Sequence, residues 1–108
     1  MSDYSIIITT AASLDEAKKI AEVLIKKQLA ACVQMFNVLS IYTWQDEVCE
    51  GAEAALHIKT KTALFDEIAK TIKAHHSYEV PEIIQIPITD GSADYLKWIN
   101  DSTKGVLP

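Results

Sequence analysis

Two extended segments of this chain are too long for the sheet they would have to join. Residues about 30–44 and 47–61 both read as strands, and a tight turn at Gln45–Asp46 joins them. Each would run ~45 Å at ~3.3 Å per residue. The other strand candidates, Tyr4–Thr10 and Ile83–Ile88, are about half that length. One end of the ribbon therefore has no sheet of its own to lie in. A lone two-stranded ribbon is marginal in water, and its open edges invite another chain. The sequence thus predicts one subunit of an oligomer.

The remaining elements follow from periodicity. Ile6-Ile7-Ile8-Thr9-Thr10 is a β-branched run, expected of a buried central strand. Ser13-Leu14-Asp15-Glu16 has the form of a capping box, opening a helix to about Gln28 with Leu14, Ala17, Ile20 or Ala21, and Leu24 recurring at helical spacing. A second helix is expected from Thr62 to about His75, with Leu64, Phe65, Ile68 and Ile72 facing inward. Pro87 cannot donate to a ladder, so Ile83–Ile88 is expected at a sheet edge. Ser92–Asn100 closes the chain as a short helix. The order β-α-β-β-α-β with a terminal helix predicts a ferredoxin-like α+β fold, one domain over residues 1–108, with two helices on one face of an antiparallel sheet.

Composition removes several functions. The formal charge is −5, which opposes a non-specific nucleic-acid binder. All ten basic residues are lysines, so no bidentate arginine fork exists for phosphate. The first loop, Thr9-Thr10-Ala11-Ala12-Ser13, lacks the C-x-x-C of a copper chaperone on this fold. The third strand lacks the aromatic residues on which an RNA-recognition sheet stacks bases. There is no Ser-His-Asp pattern, nucleophile elbow or glycine-rich phosphate loop. The expectation is a protein that is not an enzyme. The chain shows no signal-peptide pattern and no apolar run approaching ~20 residues, so a cytoplasmic protein free of the membrane is expected. Cys32 and Cys49 lie far apart along the ribbon, which makes a disulfide between them geometrically unsuitable.

One segment is dense in functional groups: His75-His76-Ser77-Tyr78-Glu79-Val80-Pro81-Glu82. Imidazole and carboxylate oxygen suit Cu(II), Zn or Ni. The same groups also fit a helix C-terminus, where histidine complements the dipole and Glu79 pairs with a lysine. Cys32, within Leu29-Ala30-Ala31-Cys32-Val33, fits core filling as well as metal ligation. His57 alternates with Leu56 and Ile58 and so faces the opposite side of its strand. Tyr42 and Trp44, near the ribbon tip, are expected to pack on a neighbouring subunit. Tyr95 and Trp98 are expected between helix and sheet, and Glu50 and Glu53 as solvated edge charges.

Leu29-Ala30-Ala31-Cys32-Val33, Tyr42-x-Trp44, Ile58-Lys59-Thr60, His76-x-Tyr78-Glu79-Val80-Pro81-Glu82-Ile83 and Tyr95-Leu96-x-Trp98 occur in the order of the CutA divalent-cation tolerance family. The resemblance spans about residues 5–102. It implies a cytoplasmic homotrimer whose ribbons pair across chains, linked to tolerance and binding of copper or another divalent metal. Cys32 matches the family's recurring cysteine, and His76, Tyr78, Glu79 and Glu82 match its H-x-Y-E-x-P-E motif. With His75 from the dense segment, the expected metal ligands are Cys32, His75, His76, Glu79 and Glu82. The trimer also resembles PII-type signal-transduction trimers, which implies an alternative: a small effector bound between subunits near Lys59, Tyr78 and Glu79. A non-catalytic scaffold trimer is the third reading. The chain departs from the family at Ser77, where proline is usual, and at Asp46-Glu47, where Gly-Lys is usual.

Overall fold

A computed structural model describes residues 2–105. Its elements are β1 (Tyr4–Ala11), α1 (Leu14–Lys26), β2 (Cys32–Trp44), β3 (Glu47–Lys61), α2 (Phe65–Ala74), β4 (Ile83–Pro87) and α3 (Ala93–Ser102), with a 3₁₀ turn at Thr62–Leu64 leading into α2. The strands form one antiparallel sheet in the order β2-β3-β1-β4, the ferredoxin-like arrangement. The strand bearing Pro87 lies at an edge, as its missing N–H requires.

Ser13 caps α1 by accepting the Glu16 amide proton at 3.1 Å. The other half of the expected capping box takes a different form. Glu16 reaches the amide of Ala12 at 3.2 Å rather than that of Ser13. Helix α1 then places Ala17, Ile20, Ala21 and Leu24 against the sheet, and α2 places Ile68 and Ile72 there. They meet Ile7, Ala11, Ala54, Leu56 and Ile58, which share one face of β1 and β3 by the two-residue alternation, to form the core.

The hairpin turns where the sequence places it. Trp44 pairs with Glu47, and Gln45 and Asp46 have φ of 51° and 65°. Two positive φ angles in a two-residue loop match the right-handed twist of the flanking strands. Pairing of β1 with β3 begins only at Ala54. The pairs from Val38–Glu53 to Trp44–Glu47 therefore project as a two-stranded arm, with Leu39, Ile41 and Val48 well exposed.

Among the described residues, the opposite face of the sheet has no helical layer like the α1–α2 side. By register it carries Ile6 and Ile8 of β1, Phe36 of β2, His57 and Lys59 of β3, and Ile84 and Ile86 of β4. Phe36, Ile84 and Ile86 are 44%, 49% and 45% exposed. His57 meets Phe36 edge-on, with centroids 4.9 Å apart. Tyr95 of α3 reaches this side, its ring 5.4 Å from the Lys59 ammonium, but Tyr95 and Trp98 are 38% and 44% exposed and so are not enclosed between helix and sheet as expected.

Leu56 is fully buried between sheet and helices, whereas Val48 on the arm is 79% exposed. Leu56→Ala is expected to lower the unfolding free energy by about 2–5 kcal/mol through lost burial and the cavity left behind. Val48→Ala in the isolated chain should change it by no more than about 0.5 kcal/mol. Urea unfolding monitored by circular dichroism, at a concentration too low for association, measures both.

Candidate functional site

The segment leaving α2 folds back over the end of β1 toward the ribbon, and hydrogen bonds fix its course. Both ring nitrogens of His76 are engaged. Nε2 meets the Thr10 carbonyl oxygen, which can only accept, so Nε2 carries the proton. Nδ1 then accepts the Tyr78 amide proton at 3.0 Å. The Ser77 amide and hydroxyl both donate to Glu16, each at 3.0 Å, tying the loop to the start of α1. The Tyr78 hydroxyl donates to Glu53 on β3 at 2.8 Å. One loop is thereby joined to β1, α1 and β3.

These bonds set the ionisation of the site. Partial burial opposes the charge on Glu53, but hydrogen bonds from Ser40, Tyr78 and Thr10 and the nearby His76 outweigh it and hold the carboxyl below its usual range. Burial likewise opposes the charge on Glu16. The Ser77 side chain, the Ala12 and Ser77 amides and the nearby His76 outweigh that penalty and lower its pKa. Burial first, then the hydrogen bond to Glu53 and the charge of that carboxylate, push the Tyr78 phenol well above its ordinary value. At neutral pH the pair is a neutral donor on a fixed carboxylate.

Beside this loop lies an open cleft of about 850 Å³. Ile41, Tyr42, Thr43 and Trp44 of the ribbon form one wall, and Tyr78 to Glu82 form the other. Tyr42 and Trp44, expected against a neighbouring subunit, thus line a cleft within one chain. Glu53, expected as a solvated edge charge, instead receives the Tyr78 hydroxyl on the cleft floor. The alternation of β3 shows which face Glu53 occupies but not that a loop 25 residues later arrives above it.

The expected ligand residues are not all gathered in one chain. Glu79 and Glu82 line the cleft. His75 is exposed, and its Nδ1 is 2.9 Å from the Thr71 carbonyl, which leaves Nε2 unengaged by that bond. For His76 to ligate a metal, it would have to release Thr10 or Tyr78. Cys32 is half-buried and paired in register with Lys59, six strand residues, or ~20 Å, along β3 from Glu53. That distance also separates Lys59 from the partner of Tyr78, so one chain does not assemble the effector set Lys59, Tyr78 and Glu79. Among the described residues, no three His, Cys, Asp or Glu side chains are grouped to hold one ion. Both cysteines are free thiols, with Cys49 opposite Tyr42.

Residues 5–102 match the family of CutA1 divalent ion tolerance proteins. The chain is 40% identical over 99 residues to the divalent-cation tolerance protein CutA of Thermus thermophilus, covering 91% of this chain and 96% of that protein. Its structure is similar to that of the Archaeoglobus fulgidus protein named a periplasmic divalent cation tolerance protein CutA. The TM-score there is 0.92 at 39% identity, over 94% of this chain and 99% of the other. It is also similar to the crystal structure of CutA1 from Oryza sativa, with a TM-score of 0.94 at 35% identity over 97% of both chains.

Glu16 and Glu53 have lowered pKa values in the folded chain, so each contributes stability above its unfolded pKa, about 4.3. That contribution is lost as pH falls through the folded value. Glu16→Gln and Glu53→Gln are therefore expected to be less stable than the parent at pH 7. Their stability should also fall less steeply between about pH 5 and pH 3. Urea midpoints across that range test both expectations.

Proposed function

The chain belongs to the CutA1 divalent ion tolerance family, and on that premise we propose that it is a non-catalytic homotrimer that binds divalent cations, copper among them. The observation that carries the cation reading is the charge of the cleft. Glu53, Glu79 and Glu82 line it, and no lysine or histidine does. A divalent ion bound there would be held first by Glu79 and Glu82, whose carboxylates are hard oxygen donors. The unengaged Nε2 of His75 and the thiol of Cys32 are the softer donors, and in this reading another subunit brings them within reach. Such sharing answers the lack of a complete ligand group among the described residues of one chain.

Assembly is supported by two features that a single chain leaves unsatisfied. The ribbon projects seven residue pairs beyond β1 with unpaired edges. Among the described residues, the sheet face carrying Ile6, Ile8, Phe36, Ile84 and Ile86 lacks the helix layer that covers the other side. A ring of three such subunits lays one chain's ribbon across the next. The same charge pattern weighs against a phosphate-bearing effector in this cleft, since every ionised group on its lining would repel it. An effector near Lys59 would need the Tyr78 and Glu79 of a neighbouring subunit. The proposed compartment is the cytoplasm, where free thiols such as Cys32 and Cys49 persist. No helix among the described residues is long and apolar enough to cross a membrane.

Sedimentation at micromolar concentration is expected to give a single species of three chains. Phe36→Glu combined with Ile84→Glu should convert it to a folded monomer. A monomeric parent would remove the assembly reading. Calorimetric titration with copper(II) or zinc should show saturable binding, weakened at least about tenfold by Glu79→Gln/Glu82→Gln, the loss expected of two charged ligands. Unchanged affinity in that variant would take these residues out of the site.

A further inference from the structure

The cleft is both larger and differently walled than a metal ion needs. Its volume of about 850 Å³ is that of a site for an organic molecule. Beside its carboxylates the lining includes Tyr42 and Trp44 of the ribbon and Val80 and Pro81 of the loop. Aromatic faces attract cations through their quadrupole, most strongly indole, and an alkyl chain packs on them as well. The carboxylates do not converge, because no three acidic, histidine or cysteine side chains among the described residues are grouped around one point. Glu53 comes from β3 and already takes the Tyr78 hydroxyl, whereas Glu79 and Glu82 come from the loop. Carboxylates that share a partly apolar groove without converging on one point match positive charges spaced along a carbon chain.

We propose that this cleft binds a linear organic polyamine, its ammonium groups meeting Glu79, Glu82 and Glu53 and its methylene chain lying along Tyr42 and Trp44. This inference deepens the cation-binding reading and rests on it, since the carboxylates are shared. Polyamine and divalent metal then compete for Glu79 and Glu82, while only the polyamine uses the indole. Anionic and neutral ligands of the same size gain nothing from the carboxylates.

The test is calorimetry on the assembled full chain at physiological salt, with spermidine as the probe and magnesium chloride as the charge control. Spermidine is expected to bind at least about tenfold more tightly than magnesium. Trp44→Leu should weaken spermidine about tenfold, a loss within the range of a desolvated cation–π contact, and leave copper affinity within about twofold. Trp44→Phe keeps an aromatic face and should restore most of the spermidine affinity. Equal affinities for spermidine and magnesium would overturn the proposal. So would a Trp44→Leu protein that sediments as the parent does and binds spermidine unchanged. Copper binding that survives when spermidine fails overturns the polyamine site alone, and failure of both ligands removes the cation reading with it.

Discussion

The backbone pairing of β3 governs the rest of the molecule. At its C-terminal half it lies between β1 and β2, with its hydrogen bonds satisfied on both sides and Ala54, Leu56 and Ile58 facing the helices. At its N-terminal half it has only β2 beside it. The same strand is therefore the centre of a core and one side of an exposed arm. The transition comes at Glu53 and Ala54, where β1 ends. The loop from α2 also arrives there, through Tyr78 to Glu53 and His76 to Thr10. The cleft exists because an arm leaves the sheet at the place where a loop must cross it.

The loop holds its position through neutral donors rather than salt bridges. Tyr78 gives its hydroxyl to Glu53, Ser77 its amide and hydroxyl to Glu16, and His76 its ring proton to the Thr10 carbonyl oxygen. Hydrogen bonds to an ionised acceptor are stronger than those between neutral groups and leave no second charge to desolvate. The cost is chemical: the histidine most prominent in the sequence is used for structure. On the same segment Glu79 and Glu82 line the cleft, and His75 keeps its Nε2 outside the bond to Thr71. A turn rich in metal-ligand types has thereby become an acidic wall with an internal histidine.

Much of this architecture was legible before the fold was known. The turn at Gln45–Asp46, the extent of the two long strands, the edge position of β4 and the packing faces of α1 and α2 follow from periodicity, turn chemistry and a proline without a donor. The ends of elements moved by a few residues. One example is α2, whose first turn is 3₁₀ over Thr62–Leu64, because side-chain periodicity does not distinguish that turn from an α-helix. The site was less legible. Residue types in the His75–Glu82 segment announced chemistry, but Glu16, Thr10, Ser40 and Glu53 carry no local mark of their part in it. Tyr42 and Trp44 were visible as large residues needing cover, and a loop of their own chain covers them only in part, leaving them 48% and 42% exposed.

What the sequence determined by itself is the pattern of elements and the mismatch in their lengths, since both depend on local spacing and on ~3.3 Å of rise per strand residue. Only the tertiary structure decided which carboxylates stand free and which are engaged. It set Tyr78 over Glu53, placed His76 between Thr10 and its own loop, and left Cys32 at the far part of the strand. These pairings join residues that are 25 to 66 positions apart in the chain. No local propensity encodes such a meeting, because it depends on where the packed core carries each backbone.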